Sequence, residues 1–178
     1  MLYFRQLLLI ATFSLCFNLS ASATPKASYW ISNIWTAGAI TMGALGSYYS
    51  YQARDQILNH DPDDNGTQSA ARSLMGSTVT LGVSAALSTL TLCIGLTSQE
   101  KAPVAGAFSA LATVVAVVPG ITTAIAYGIE DNQGSTDPNL KISMGLSWTT
   151  WVANGIGAVL FILSASTRTT ESHHPTHV

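Results

Sequence analysis

Four long stretches of this 178-residue chain contain no charged side chain. No Asp, Glu, Lys or Arg occurs between Lys26 and Arg54, Arg72 and Glu100, Lys101 and Glu130, or Lys141 and Arg168, gaps of 27, 27, 28 and 26 residues. A helix needs about 20 residues to cross the ~30 Å hydrocarbon core of a bilayer at ~1.5 Å per residue. Each gap therefore holds one crossing with a turn to spare, whereas a water-exposed helix of that length would carry charges on its wet face. A charge near the bilayer centre costs at least ~2.5–3.5 kcal/mol, and backbone groups without water must bond within their own segment. The spacing predicts an all-α membrane protein, a bundle of four transmembrane helices at about 30–51, 73–97, 103–129 and 142–166. A barrel would need ~10-residue stretches of alternating polarity, which the chain lacks.

Only 9% of the residues are charged, against roughly 25% in ordinary soluble domains. That deficit argues against a disordered acidic tail, a coiled coil and a basic nucleic-acid binder. A net charge of −2 offers no footprint for a polyanion. The partner expected from composition is the lipid bilayer, with no nucleic acid.

Residues 1–23 have the form of a signal peptide. Arg5 supplies a short positive region, Leu7 to Phe17 are mostly apolar, and Ala21-Ser22-Ala23 offers small residues for cleavage. Cleavage is preferred to an uncleaved anchor, because the apolar run is short for a span. The membrane domain is then 24–167, reached through the secretory pathway, and 168–178 form a polar, disordered tail. This route places 50–72 and 130–141 inside and 98–102 outside. Basic residues do not arbitrate: Arg54, Arg72 and Lys141 lie on one side, Lys26, Lys101 and Arg168 on the other.

Within the spans, small and polar residues carry the packing signals. Trp30, Trp35, Tyr48, Tyr49 and Tyr51 belt the first span at both ends. The short connection ending in Glu100-Lys101-Ala102-Pro103 forces an antiparallel hairpin between the second and third. Ala112, Ala116, Gly120, Ala124 and Gly128 recur every four residues, as do Gly145, Thr149, Ala153 and Gly157. Such ladders let membrane helices approach closely, within the chain or between copies. Pro119 is read as an ordinary membrane-helix proline that kinks the span rather than as a gate. Asn154, strongly polar and deep in the fourth span, is read as a bond to a neighbouring helix. A faint echo relates Asp61-Pro62-Asp63 to Asp137-Pro138-Asn139, each leading into a basic residue and a Met-Gly pair.

Other motifs have simpler readings. Asp61 to Gly66 matches half of a calcium loop, but Arg72 stands where a bidentate Glu is required, so an acidic turn without metal is preferred. Asn65-Gly66-Thr67 is a glycosylation acceptor by pattern, on the side where it would go unused. His173, His174 and His177 belong to the solvated tail. Cys16 would leave with the signal, and Cys93 is expected to be a small apolar packing residue, with no disulfide. No catalytic, cofactor-binding or metal-binding constellation is legible. The expectation is a small non-enzymatic multi-pass membrane protein acting through helix–helix association. A secreted pore-forming or killer-type toxin, or its precursor, is the alternative, and a channel or small-solute transporter a further one.

Overall fold

The computed structural model describes residues 25–60, 62–132 and 137–171; the proposed signal peptide and the tail histidines lie outside them. Four long helices account for nearly all of the described chain. Helix α1 spans Pro25–His60, α2 Asn65–Thr97, α3 Ala102–Asn132 and α4 Pro138–Glu171, with one 3-10 turn, Gln99–Lys101, between α2 and α3.

Local chemistry sets these boundaries. The side chain of Asp64 accepts a hydrogen bond from the Thr67 amide at 2.8 Å and caps α2. Asp137 serves α4 in the same way, its carboxylate accepting from the Asn139 amide at 2.9 Å. The two acidic turns of the sequence echo therefore cap the two helices that leave the same end of the bundle. Pro103 and Pro138 sit in first turns, where no intrahelical donor is missed. Ser98 organises the 3-10 turn by accepting the Glu100 amide at 3.2 Å, which closes the antiparallel hairpin with exposed Glu100 and Lys101 at its tip.

Each helix packs along its two chain-adjacent or ring-closing neighbours: α1 on α2 and α4, α3 on α2 and α4. Across the diagonals the helices barely touch. This is an up-down-up-down four-helix ring.

The seam that each helix buries follows a 3-4-3-4 rhythm. In α1 it runs Ser32, Thr36, Ala39, Gly43, Gly46, Ser50, Ala53; in α2 Leu74, Ser77, Leu81, Ser84, Ser88, Thr91. In α3 it runs Ser109, Ala112, Ala116, Pro119, Thr123, Ala126, and in α4 Leu140, Ser143, Ser147, Thr150, Asn154, Gly157, Phe161. A mean step of 3.5 residues keeps one stripe facing its neighbours over many turns. The charge deficit excludes an aqueous coiled coil, yet the burial rhythm is that of one, with hydroxyls and small residues where leucines would stand.

The four-residue ladders are thereby corrected. A step of four advances about 40° beyond a full turn, so such a stripe winds off the contact. Ala112, Ala116 and Gly120 are buried, whereas Ala124 and Gly128 are exposed; in α4, Ala153 and Gly157 are buried and Gly145 is not. Cys93 also departs from expectation. It is exposed on the outer face of α2 rather than packed inside.

Polarity is inverted relative to a water-soluble bundle. Large apolar side chains face outward, among them Ile34 at 70% and Val114 at 67% exposure. Serines and threonines fill the interior. Apolar clusters close the two ends: Ala53, Ile57, Ala70, Leu74, Ala126 and Leu140 at one, Tyr29, Ala102, Ala105 and Phe161 at the other. The first cluster places Arg54, Arg72, Glu130 and Lys141 at one level, and the second places Lys26 and Lys101 together at the opposite level. The four uncharged windows are thus in register, forming a slab about 40 Å thick at ~1.5 Å per residue.

Three of the four helices, α2, α3 and α4, are long and apolar enough to cross a membrane. Helix α1 is long enough at 36 residues, but Ser, Thr, Gly, Asn and Tyr dilute its uncharged window, so four spans are not supported by apolarity alone.

Seam glycines report how close the helices come. A Cβ on Gly157 would lie 3.2 Å from Thr36 Oγ1 and 3.3 Å from Ser109 Oγ, whereas one on Gly128 would meet nothing within 4 Å. Gly157→Leu is expected to cost at least ~1–3 kcal/mol, and Gly128→Leu less than about 0.5 kcal/mol. Thermal unfolding of the detergent-solubilised chain, followed by circular dichroism, checks the contrast; equal losses would refute the seam.

Candidate functional site: a polar axis around Asn154

Buried hydroxyls need partners, and inside an apolar medium they find them in helix carbonyls. Thr36 Oγ1 donates to the Ser32 carbonyl at 2.9 Å, Thr91 Oγ1 to Leu87 at 2.9 Å, Ser147 Oγ to Ser143 at 2.8 Å and Thr150 Oγ1 to Leu146 at 2.7 Å. These hydroxyls line the axis yet are satisfied by their own helices.

A smaller set crosses between helices. Asn154 is fully buried. Its Oδ1 accepts from Ser88 Oγ at 2.8 Å and its Nδ2 donates to Ser84 Oγ at 3.2 Å, both on α2. Ser84 Oγ donates onward to the Ala112 carbonyl of α3 at 3.2 Å, and Ser109 Oγ of α3 donates to the Asn154 carbonyl at 3.0 Å. One amide on α4 thus joins three helices at mid-depth, as its sequence position suggests. Nearer the acidic end, Ser50 and Ser143 share a hydrogen bond at 2.5 Å between α1 and α4, as do Ser77 and Thr122 at 2.5 Å between α2 and α3. At the opposite end the Tyr29 hydroxyl donates to the Gly95 carbonyl.

Among the described residues two buried side-chain atoms have no partner: Asn33 Oδ1 and Glu130 Oε1. Asn33 donates through Nδ2 to the Tyr29 carbonyl at 3.0 Å, and its side chain lies against Gly95. A Cβ on Gly95 would make the Asn33 amide shift. Glu130 occupies the last seam position of α3 and is 5% exposed.

Pro119 is buried within an uninterrupted α3, and Thr123 Oγ1 donates to its carbonyl at 2.6 Å. Gly120 beside it lies under the Trp148 indole, whose ring atoms would stand 3.3 Å from an added Cβ. The proline is a packing residue of the seam.

The calcium-like motif does not form a loop. Helix α2 begins at Asn65, Asp64 is committed to its cap, and Arg72 projects exposed from the helix; Asp61 lies outside the described residues. Among the described residues no three His, Cys, Asp or Glu side chains come together as metal ligands. Asn65 of the glycosylation pattern is exposed, but Thr67 is buried in the first turn of α2.

With what it contains the axis can fix the register of four helices through directional bonds in a low-dielectric interior. Sequence reasoning found Asn154 by its isolation in an apolar run. It missed Ser84, Ser88 and Ser109, whose signal is their recurrence at three- and four-residue steps, and it placed Glu130 in a connection. Protein-family profiles, curated proteins and solved structures yield no match to the chain.

Asn154→Leu strands Ser84 and Ser88 and is expected to destabilise the bundle by ~1–2 kcal/mol. A double-mutant cycle of Asn154→Ala with Ser88→Ala should return a coupling of at least about 0.6 kcal/mol in detergent unfolding. Additive effects would show that the bond contributes nothing.

Proposed function

We propose that this chain is a small multi-pass integral membrane protein in which all four helices lie in the bilayer as one bundle. The observation that carries this reading is the combination of an outward apolar surface with an uncharged slab common to all four helices. Water would favour the reverse arrangement, with hydroxyls outside and Val, Ile and Leu within. Lipid gains nothing from burying apolar side chains, so small residues and interhelical hydrogen bonds hold such helices together.

Helix α1 enters the bilayer on this reading as part of the bundle. Its seam hides Ser32, Asn33, Thr36 and Ser50 from lipid. Exposed Trp30 and Tyr51 lie 21 residues apart along it, or about 32 Å at ~1.5 Å per residue, which matches the separation of the two headgroup regions.

The secretory route follows from the form of residues 1–23, and a non-enzymatic role from a polar axis committed to holding helices. The protein's work is then association between helices, its own and those of membrane partners.

Val114 and Ile121 face outward in the middle of α3. Val114→Lys with Ile121→Lys places two charges against lipid at ~2.5–3.5 kcal/mol each. The wild type is expected to remain in the pellet after carbonate extraction and the double variant to be lost from it. Retention of the variant in membranes, or release of the wild type, would overturn the reading. Accessibility reporters at positions 60, 100 and 135 are expected to place 60 and 135 on one side and 100 on the other.

A further inference from the structure

One end of the bundle is strongly acidic. Residues 54–72 carry four carboxylates and two basic side chains, and residues 130–141 carry three and one. Within this end Glu130 is the exception to solvation. It continues the α3 seam beyond Ala126, is 5% exposed, and its Oε1 contacts no donor among the described residues. The charges facing it come from every neighbouring element: Asp137 at the start of α4, His60 at the end of α1 and Asp64 before α2. Two of the three repel a carboxylate, and among the described residues no Lys or Arg pairs with it. A desolvated carboxylate with an unpartnered oxygen, faced by two carboxylates and by His60 alone as a basic group, is disfavoured. The surrounding carboxylates raise the local concentration of cations in the same place.

We propose that Glu130 is a cation-binding residue at the acidic end of the bundle axis, neutralised in the folded protein by a bound cation. Its position makes this a structural switch as well as a site. Glu130 lies one seam step beyond Ala126, which shares a cluster with Ile57, Ala70 and Leu140, so filling the site tightens the end where α1, α2 and α4 meet α3. Rings and pockets of carboxylates serve as cation filters by the same electrostatics.

Glu130→Gln removes the charge and keeps the shape. At pH 8 in low salt the glutamine variant of the full chain in detergent should melt at least about 3 °C above the wild type. Lowering the pH to 5 should close that gap if the cation is a proton; adding NaCl or CaCl2 at pH 8 should close it if the cation is a metal ion. A gap that closes in neither arm, or a wild type at least as stable as the variant at pH 8, overturns the proposal, as does a glutamine variant that fails to fold. A second measurement needs no variant. The chain has three glutamates, Glu100, Glu130 and Glu171, so carbon-13 carboxyl labelling yields three resonances. One of them should shift on cation addition or acidification separately from two solvent-like signals; three solvent-like responses would equally refute the site.

Discussion

Close approach of helix backbones along a seam of serine, threonine, alanine and glycine is the interaction on which this structure rests. Gly157 fits against Thr36 and Ser109, and Gly95 against Asn33, because neither has a Cβ to intervene. At that separation a hydroxyl on one helix reaches a carbonyl or hydroxyl on the next, as Ser84 reaches Ala112 and Ser47 reaches Thr78. Larger seam residues would spread the helices and strand those hydroxyls. Steric fit and hydrogen bonding therefore depend on each other, and Asn154 is where most of the bonds converge.

The exterior obeys a different rule. Within their uncharged windows, α2, α3 and α4 are long and apolar enough to cross a membrane. Helix α1 is the intermediate case: its outer face carries Ile34 and Leu45, while Ser32, Asn33, Thr36 and Ser50 are buried against its neighbours. On the proposed reading, burial of its seam against α2 and α4 is what would let α1 share the medium of the other three helices.

Ionisable groups are kept to the ends, and there the two ends differ. At the hairpin end Glu100 and Lys101 are exposed. At the other, Asp64 and Asp137 are used as helix caps, while Glu130 is drawn inside without a donor. A carboxylate placed so, like the unpartnered Asn33 Oδ1 at the opposite end, conflicts with the hydrogen bonding of the axis. Such conflicts mark positions where a structure has a use for the strain.

Much was legible in the residues alone. The uncharged windows located four helices because desolvation of charge is large and local and needs no knowledge of neighbours. Pro103 marked a helix start for an equally local reason, and Asn154 stood out against its apolar surroundings, whereas Asp137-Pro138 was read as part of a connection and in fact opens α4. What faces inward was not legible. Ladders at four-residue spacing pointed to Gly128 and Gly145, yet both are exposed, because a contact seam must average 3.5 residues per step to stay with its neighbours. Cys93 and Glu130 were misplaced for the same reason: orientation about a helix axis is settled only when three other helices supply the opposing surfaces. Sequence by itself decided where the chain turns and which lengths carry no charge. Tertiary packing decided which side chains meet, since the energies that choose a helix face come from contacts between segments dozens of residues apart.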